Sequence, residues 1–446
     1  MKKSYIILSL IFLTLLNSQG TVENSSFYSS YLNENRNYQI YLPEGYDNNP
    51  NETYPVVYFL HGFGAYGSYT SYIESIMDDL IGSNDILKML VVLTDGGGCI
   101  YDGSFYTNSE LNGDYEDYIV YDLVNHIDDT YQTKPMKEYR ALSGHSMGGY
   151  GTMYIAMRNS DVFSTLSAHS GPIALENLNN DELIFALMWE NGFGELNPNN
   201  GNLTLMFFAM ASAFSPNLNN PPYYVDLPID QFGQIIDETF ERWMEYDPYN
   251  MIYDYIPELE NLNIYFDCGS YDELTLHEHS VDFSNRLGEL NIDHEFVSYS
   301  GSHTSGVAER VEYSMQVHSD YFESLDPYLE GDVNQDGYVN IGDIVRLINI
   351  LLGDPPSEYE QLAADLNHDS MIDIFDIIFL VDIILHANQL PDACYLEPDI
   401  GPCDGVFPRY YFEWSTEECA EFIWGGCEGV VPFETFEACE ETCLSP

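Results

Sequence analysis

One short run limits what this chain can fold into more than any other. Tyr139-Arg140-Ala141-Leu142-Ser143-Gly144-His145-Ser146-Met147-Gly148-Gly149-Tyr150 reads as a strand, a sharp turn at Ser146 and the first turn of a helix. In Gly-x-Ser-x-Gly, strand and helix cross so tightly that Gly144 and Gly148 cannot carry a Cβ, and Gly149 and Gly151 extend the close approach. The five-residue pattern also arises by chance. Here an apolar lead-in precedes it and a helix of small and apolar residues, Thr152 to Met157, follows. A serine hydroxyl is a weak nucleophile, and such a corner exposes it beside a base and beside backbone N–H groups that can receive an oxyanion. Ser146 is the candidate nucleophile.

The surrounding pattern is α/β. Tyr38 to Leu42 alternates, Pro55 to Leu60 and Met89 to Leu93 are short apolar runs of the kind buried on both faces of a parallel sheet, and strands are expected at Asn263 to Phe266 and Glu295 to Tyr299. Amphipathic stretches at Tyr72 to Leu80 and Tyr118 to Tyr131 intervene, which predicts strands alternating with helices. Between Ile173 and Ile252 the rhythm gives way to an Asn/Pro-rich, aromatic segment, read either as a lid or pocket wall or as a surface insertion with its own small core.

A serine nucleophile needs a base and an acid that orients it, following in the order Ser, Asp, His on loops after later strands. His303, in Ser300-Gly301-Ser302-His303 at the carboxyl end of a predicted strand, is the best placed of the 11 histidines. Asp267 and Asp272 both follow the strand beginning at Asn263. Asp272, in the loop beyond Gly269, is the candidate acid. His294 and His318 read as structural, and His277 and His279 as exposed helix residues. Two N–H groups would meet the oxyanion, that of Met147 and that of Phe63 in His61-Gly62-Phe63-Gly64.

These pieces together resemble the esterase D-type α/β-hydrolases, which include feruloyl, acetylxylan and tributyrin esterases. The likeness covers residues 36 to 320 and rests on Tyr41-Leu42-Pro43-Glu44-Gly45-Tyr46, His61-Gly62-Phe63-Gly64, Tyr115-Glu116-Asp117-Tyr118-Ile119, Gly144 to Gly149, Gly269-Ser270-Tyr271-Asp272 and Gly301-Ser302-His303, in that order. The resemblance implies carboxylic ester hydrolysis by a triad of Ser146, Asp272 and His303.

The chain begins Met1-Lys2-Lys3, is apolar from Tyr5 to Leu16 and offers small residues at Ser18 and Gly20, so residues 1–20 read as a signal peptide of an exported protein. Its 73 acidic and 13 basic residues give a formal charge of −60, which repels nucleic acid and anionic membrane alike. The excess reads either as adaptation to a saline medium or as a solubilising surface with cation-binding loops.

Such loops follow a change in composition near Tyr328. Asp332 to Asp343 and Asp365 to Asp376 each place oxygen donors at positions 1, 3, 5, 9 and 12 and a backbone carbonyl at position 7, a set suited to Ca²⁺. The candidate ligands are Asp332, Asn334, Asp336, Tyr338, Asn340 and Asp343, then Asp365, Asn367, Asp369, Met371, Asp373 and Asp376. Asp at position 12, and a helix only after each loop, resemble a type I dockerin over about residues 329 to 387. That implies calcium-dependent folding and a cohesin-like partner. Positions 10 and 11, often Ser/Thr in that family, are Ile341-Gly342 and Ile374-Phe375, which departs from a standard partner. The second helix, Ile377 to Leu385, is apolar nearly all round and is expected to be buried against its twin, with a partner as a further cover.

Six of the eight cysteines lie between Cys394 and Cys443, dense enough to predict three disulfides, for which 15 pairings exist. With Gly401-Pro402-Cys403, Arg409-Tyr410-Tyr411-Phe412 and Phe422-Ile423-Trp424-Gly425-Gly426-Cys427, the tail resembles a Kunitz-type domain, which implies Cys394–Cys443, Cys403–Cys427 and Cys419–Cys439. The residue that would fill a target protease's specificity pocket is Asp404, so a trypsin-like target, whose pocket carries an aspartate, is excluded by like charge. The Cys427 to Cys439 spacing is one residue short of the usual pattern.

The sequence thus predicts a signal peptide at 1–20, an α/β-hydrolase domain at 21–325, a small all-α dockerin-like domain at 329–387 and a disulfide-rich α+β Kunitz-like domain at 392–446. The expected protein is secreted and hydrolyses feruloyl or acetyl decorations of polysaccharides or related short acyl esters, with a protease other than a trypsin-like one as a further partner. The alternative reading is a protease inhibitor or assembly protein that uses the hydrolase domain as a scaffold.

Overall fold

The computed structural model describes residues 19–446 except 49–51, 326–330, 336–337, 368–370, 387–395, 397, 404, 414–417, 428, 434 and 444–446. The first 18 residues of the expected signal peptide, Asp336, Asp369, Cys394 and Asp404 therefore lie outside the described residues. The chain divides into two compact units, Met1–Pro327 and Tyr328–Pro446.

The first unit is built on one eight-stranded sheet. Its strands are β1 (Thr21–Ser29), β2 (Glu34–Leu42), β3 (Val56–Leu60), β4 (Leu90–Thr94), β5 (Arg140–His145), β6 (Thr165–His169), β7 (Asn263–Gly269) and β8 (Glu295–Tyr299). The spatial order is β1-β2-β4-β3-β5-β6-β7-β8. β2 runs antiparallel to both β1 and β4, and every later pairing is parallel. β1 is an edge strand absent from the sequence reading, where its polar, serine-rich residues give little alternation.

Strands β3, β4 and β6 are buried at every residue, because helices cover both faces. The period of two divides their side chains. Val57, Phe59, Val91 and Leu93 pack with Ile73 and Met77 of the helix Thr70–Ser83 and with Val311 and Met315 of the helix Val307–Ser324. Val56, Tyr58, Leu60 and Val92 face the opposite side, against Met153, Ile155 and Met157 of the helix Met147–Arg158. The parallel register sets Leu60 beside Gly144, His145 beside His169, His169 beside Asp267, and Tyr299 beside Gly269. The carboxyl ends of β3, β5, β6, β7 and β8 are therefore level, and their loops share one edge.

Residues 173–252 carry the helices Asp181–Asn191, Asn202–Phe214 and Asp237–Met244, with a short one at Pro248–Met251 and a 3-10 turn at Leu175–Leu178. Asn180 caps the first by accepting from the N–H groups of Glu182 and Leu183. The second begins after Gly201, which has no side chain to cap it. Glu190 reaches across instead and accepts from the N–H groups of Leu203 and Thr204.

In the second unit, helices Ile341–Leu351 and Ile374–His386 follow the two acidic loops and pack on each other around Val333, Leu347, Ile350, Leu366 and Leu380. The second of these helices is buried against its twin on one side only. Leu380 is buried, but Ile378, Phe379 and Leu385 are exposed, since two helices this short cover only one face of each other. The tail forms an antiparallel hairpin of β9 (Phe407–Glu413) and β10 (Glu418–Trp424), with helix Phe436–Cys443 packed against it. Disulfides Cys403–Cys427 and Cys419–Cys439 are present. Cys443 is disulfide-bonded, and its expected partner Cys394 lies outside the described residues.

Candidate active site

Ser146 sits at the carboxyl end of β5 with φ 59° and ψ −116°, a conformation costly for a residue bearing a Cβ. The local glycines explain how it is held. A Cβ on Gly148 would run into the Leu60 carbonyl, one on Gly144 into the Gly148 carbonyl, and one on Gly149 would lie 2.6 Å from His169 O. Strand, turn and helix touch through backbone alone. The Ser146 N–H donates to His169 O at 2.8 Å, and its carbonyl accepts from Tyr150.

A hydrogen-bonded chain leads away from the hydroxyl. His303 Nε2 is 2.9 Å from Ser146 Oγ, and His303 Nδ1 is 2.8 Å from Asp272 Oδ2. All three side chains are largely buried. Burial alone would raise the Asp272 carboxyl, but the hydrogen bond and charge of His303, with the Leu274 N–H, hold it below the ordinary aspartate value. Asp267, the other carboxylate of this strand, points elsewhere. It accepts from His169 Nδ1 at 2.7 Å and from Arg310 Nη1 at 2.6 Å, and these outweigh its burial to keep it ionised.

The loop that carries His303 is tied down at its backbone as well. Its N–H donates to Glu273 Oε2 at 3.0 Å, and its carbonyl accepts from His145 Nε2 at 3.1 Å. The Tyr69 hydroxyl donates to His145 Nδ1 at 2.8 Å, which fixes the proton on Nε2. Burial, with the nearby His303, drives the His145 pKa far down, so the ring stays neutral. The N-terminal loop is held in a similar way. Gly96 N–H donates to His61 Nε2 at 2.9 Å, leaving His61 Nδ1–H for Gly62 O at 2.7 Å. A Cβ added to Gly62 would lie 3.3 Å from Ser146 Cβ, which puts the backbone just before Phe63 against the nucleophile.

Sequence reasoning missed His145, Glu273, His61 and Tyr69 as supports. Two had a signal, since His145 directly precedes the serine and Glu273 directly follows the acid candidate. His294 and His318 bond to Ser284 and Thr165, as structural residues do. His277 bonds to Ser298, but His279 is fully buried against Ala174 N–H rather than exposed.

A pocket opens at Ser146, enclosing about 370 Å³ including its mouth. Phe105, Met147, Pro172, Leu274 and Leu276 line it, with Leu178, Leu183, Met206, Phe207 and Met210 from the 173–252 segment. That segment is thus a pocket wall. Its Trp243, whose indole N–H donates to Ser215 Oγ at 2.8 Å, joins the same core as the sheet, with Phe214 packed on Phe105 and Tyr150.

In the second unit, Asp332, Asp343 and Asp376 are buried. Asp343 accepts from the N–H groups of Asn334 and Asn340, and Asp376 from those of Leu366 and Asp373. Each loop therefore folds back on its position-12 carboxylate. Neither contains Lys or Arg, and an oxygen-only set with buried carboxylates fits a hard divalent cation. Among the described residues no cluster of three or more His, Cys, Asp or Glu is gathered for a metal, and Asp336 and Asp369 fall outside them. Among the described residues, no helix is long and apolar enough to cross a membrane.

A strand-to-helix serine, a histidine and a carboxylate from later loops, on a sheet of this order, define an α/β-hydrolase. The chain matches the Esterase family over residues 29–305 and belongs to it. It then carries a dockerin type I domain at 330–385, a class that generally binds calcium, and a Kunitz/bovine pancreatic trypsin inhibitor domain at 393–444. It is 30% identical over 163 residues to an endo-1,4-beta-xylanase/feruloyl esterase of Xylanibacter ruminicola, covering 34% of this chain and 22% of that protein. Its tail is 54% identical over 56 residues to the carboxypeptidase inhibitor SmCI of Sabellastarte magnifica, covering 12% of this chain and 34% of that protein. The chain thus spans about a third or less of the length of these relatives. A solved ferulic acid esterase shares the fold, with TM-score 0.50 and 20% identity over 69% of this chain and all of the other.

Proposed function

We propose that the first domain is an exported carboxylic ester hydrolase acting through Ser146, His303 and Asp272. The hydrogen-bonded chain Asp272–His303–Ser146 carries this reading. Ser146 Oγ attacks the ester carbonyl carbon while His303 Nε2 takes its proton. Asp272 holds the Nδ1–H tautomer and stabilises the imidazolium. The N–H groups of Phe63 and Met147 receive the oxyanion, each worth about 100- to 1000-fold in rate. His303 then protonates the departing alcohol, and water resolves the acyl-enzyme by the reverse relay.

The pocket's apolar lining suits an acyl group, feruloyl or acetyl, and the domain's xylanase-linked relative supports a polysaccharide as the alcohol component. The domain boundaries given above, export, calcium at the paired loops and a cohesin-like partner complete the reading. No relay residue lies in 329–387, so EGTA is expected to loosen that domain without loss of esterase activity. Rates on a panel of p-nitrophenyl esters and acylated xylans test the proposal. Hydrolysis of none, by a folded protein, overturns it and leaves the protease-inhibitor reading, which the Kunitz domain favours. There Asp404 directs the inhibitor away from trypsin, and an Asp404→Lys variant is expected to gain trypsin inhibition.

A further inference from the structure

The helix Asp181–Asn191 has two unlike sides. Leu183 and Leu187 are buried, and Leu183 reaches the pocket at Ser146. On the other side Phe185 is 61% exposed, Trp189 68% and, just past the helix, Phe193 55%. These rings form a continuous strip. Phe185 stacks on Trp189 with centroids 6.3 Å apart and planes 27° apart, and Trp189 meets Phe193 edge-on at 6.1 Å. Phe193 adopts φ 60°, a left-handed conformation disfavoured for a bulky side chain, and its ring is displayed rather than buried. Three large exposed aromatics in a row, one on a strained backbone, are not explained by the core.

We infer that this strip binds the sugar rings of a neutral polysaccharide chain and holds it at the helix that walls the pocket, an inference that rests on the esterase reading above. Pyranose rings offer flat C–H faces that stack on aromatic rings, and a run of rings suits a run of sugars. Three side chains exposed to this degree present roughly 300–450 Å², below the ~800 Å² per partner of a stable protein interface, so a second copy does not fit. The chain's −60 charge, with exposed Asp181 and Glu182 on the same helix, excludes an acidic glycan. The helix that carries the strip also walls the pocket, which Leu183 lines from its buried side.

The test is a full-length Phe185→Ala/Trp189→Ala variant, neither residue touching the relay or lining the pocket. Three quantities are compared with the parent: kcat/KM on p-nitrophenyl acetate, kcat/KM on acetylated or feruloylated xylan, and retardation in gels containing de-esterified xylan. The expected result is an unchanged small-ester rate, about tenfold loss on the polymer and lost retardation. Equal rates on the polymer, or no retardation of the parent protein, overturn the strip. Retardation with no ester hydrolysis at all keeps the strip and overturns the esterase reading instead. A change from dimer to monomer in the variant shows the strip to be a self-association surface and overturns the proposal.

Discussion

The elbow and the 173–252 wall border one pocket but are built by opposite means. At Gly144, Gly148 and Gly149 main chain meets main chain, and no side chain of any size fits. The wall meets the pocket through the side chains of Leu178, Leu183, Met206, Phe207 and Met210 on short helices. The first admits essentially one local sequence, whereas the second admits any apolar set of suitable volume. Chemistry is therefore fixed where backbone packs on backbone, and choice of substrate is left to exchangeable side chains.

The sharpest test of that contrast is Ser146→Ala, expected to lower kcat about 10,000-fold or more with Tm unchanged. Gly148→Ala is expected to fail differently, costing roughly 4 kcal/mol or more of stability because the Leu60 carbonyl must move. A soluble, fully active Gly148→Ala protein breaks the comparison. The two carboxylates of β7 and its loop separate next. Asp272→Asn is expected to reduce kcat about 100- to 10,000-fold with little change in melting. Asp267→Asn strands Arg310 and His169 in the interior, so thermal unfolding is where its effect appears, at about 3 kcal/mol.

On the wall, Met206→Ala is expected to shift the ratio of kcat/KM between large and small acyl esters by about tenfold, leaving the better substrate near its parent rate. A uniform loss for all esters would show the wall to be as constrained as the elbow. The last prediction concerns pH. Burial pushes the Asp247 carboxyl up to about 7, against the N–H groups of Leu175 and Tyr249 that favour its charge. The folded state then holds a proton that the unfolded state releases near pH 4. Stability falls as pH rises from about 4 to about 7 and is level above, by at most about 4 kcal/mol. Urea midpoints of Asp247→Asn are expected to be flatter across that window.

The same contrast explains what the sequence could reveal. Elbow glycines, buried runs such as Val56 to Leu60 and the strand-end loops that bring Ser146, Asp272 and His303 into one hydrogen-bonded chain are legible because each depends on local backbone demands. β1 was not, since its place depends on an edge hydrogen-bond ladder to β2 rather than on a pattern of its own. His279 read as exposed because its burial comes from Ala174, 105 residues earlier in the chain. Whether 173–252 was a wall or an ornament depended on which residues its helices bring to Ser146, and nothing in its composition encodes that.

His303 is gripped at its amide, its carbonyl and both ring nitrogens. Its rotational freedom is thus surrendered when the chain folds and not when an ester arrives. Warming has no loosened imidazole to recruit, so an Arrhenius plot of acylation is expected to run straight up to the melting transition and break there. Any curvature below that point belongs to the segment opposite, whose contacts are side chains able to rearrange.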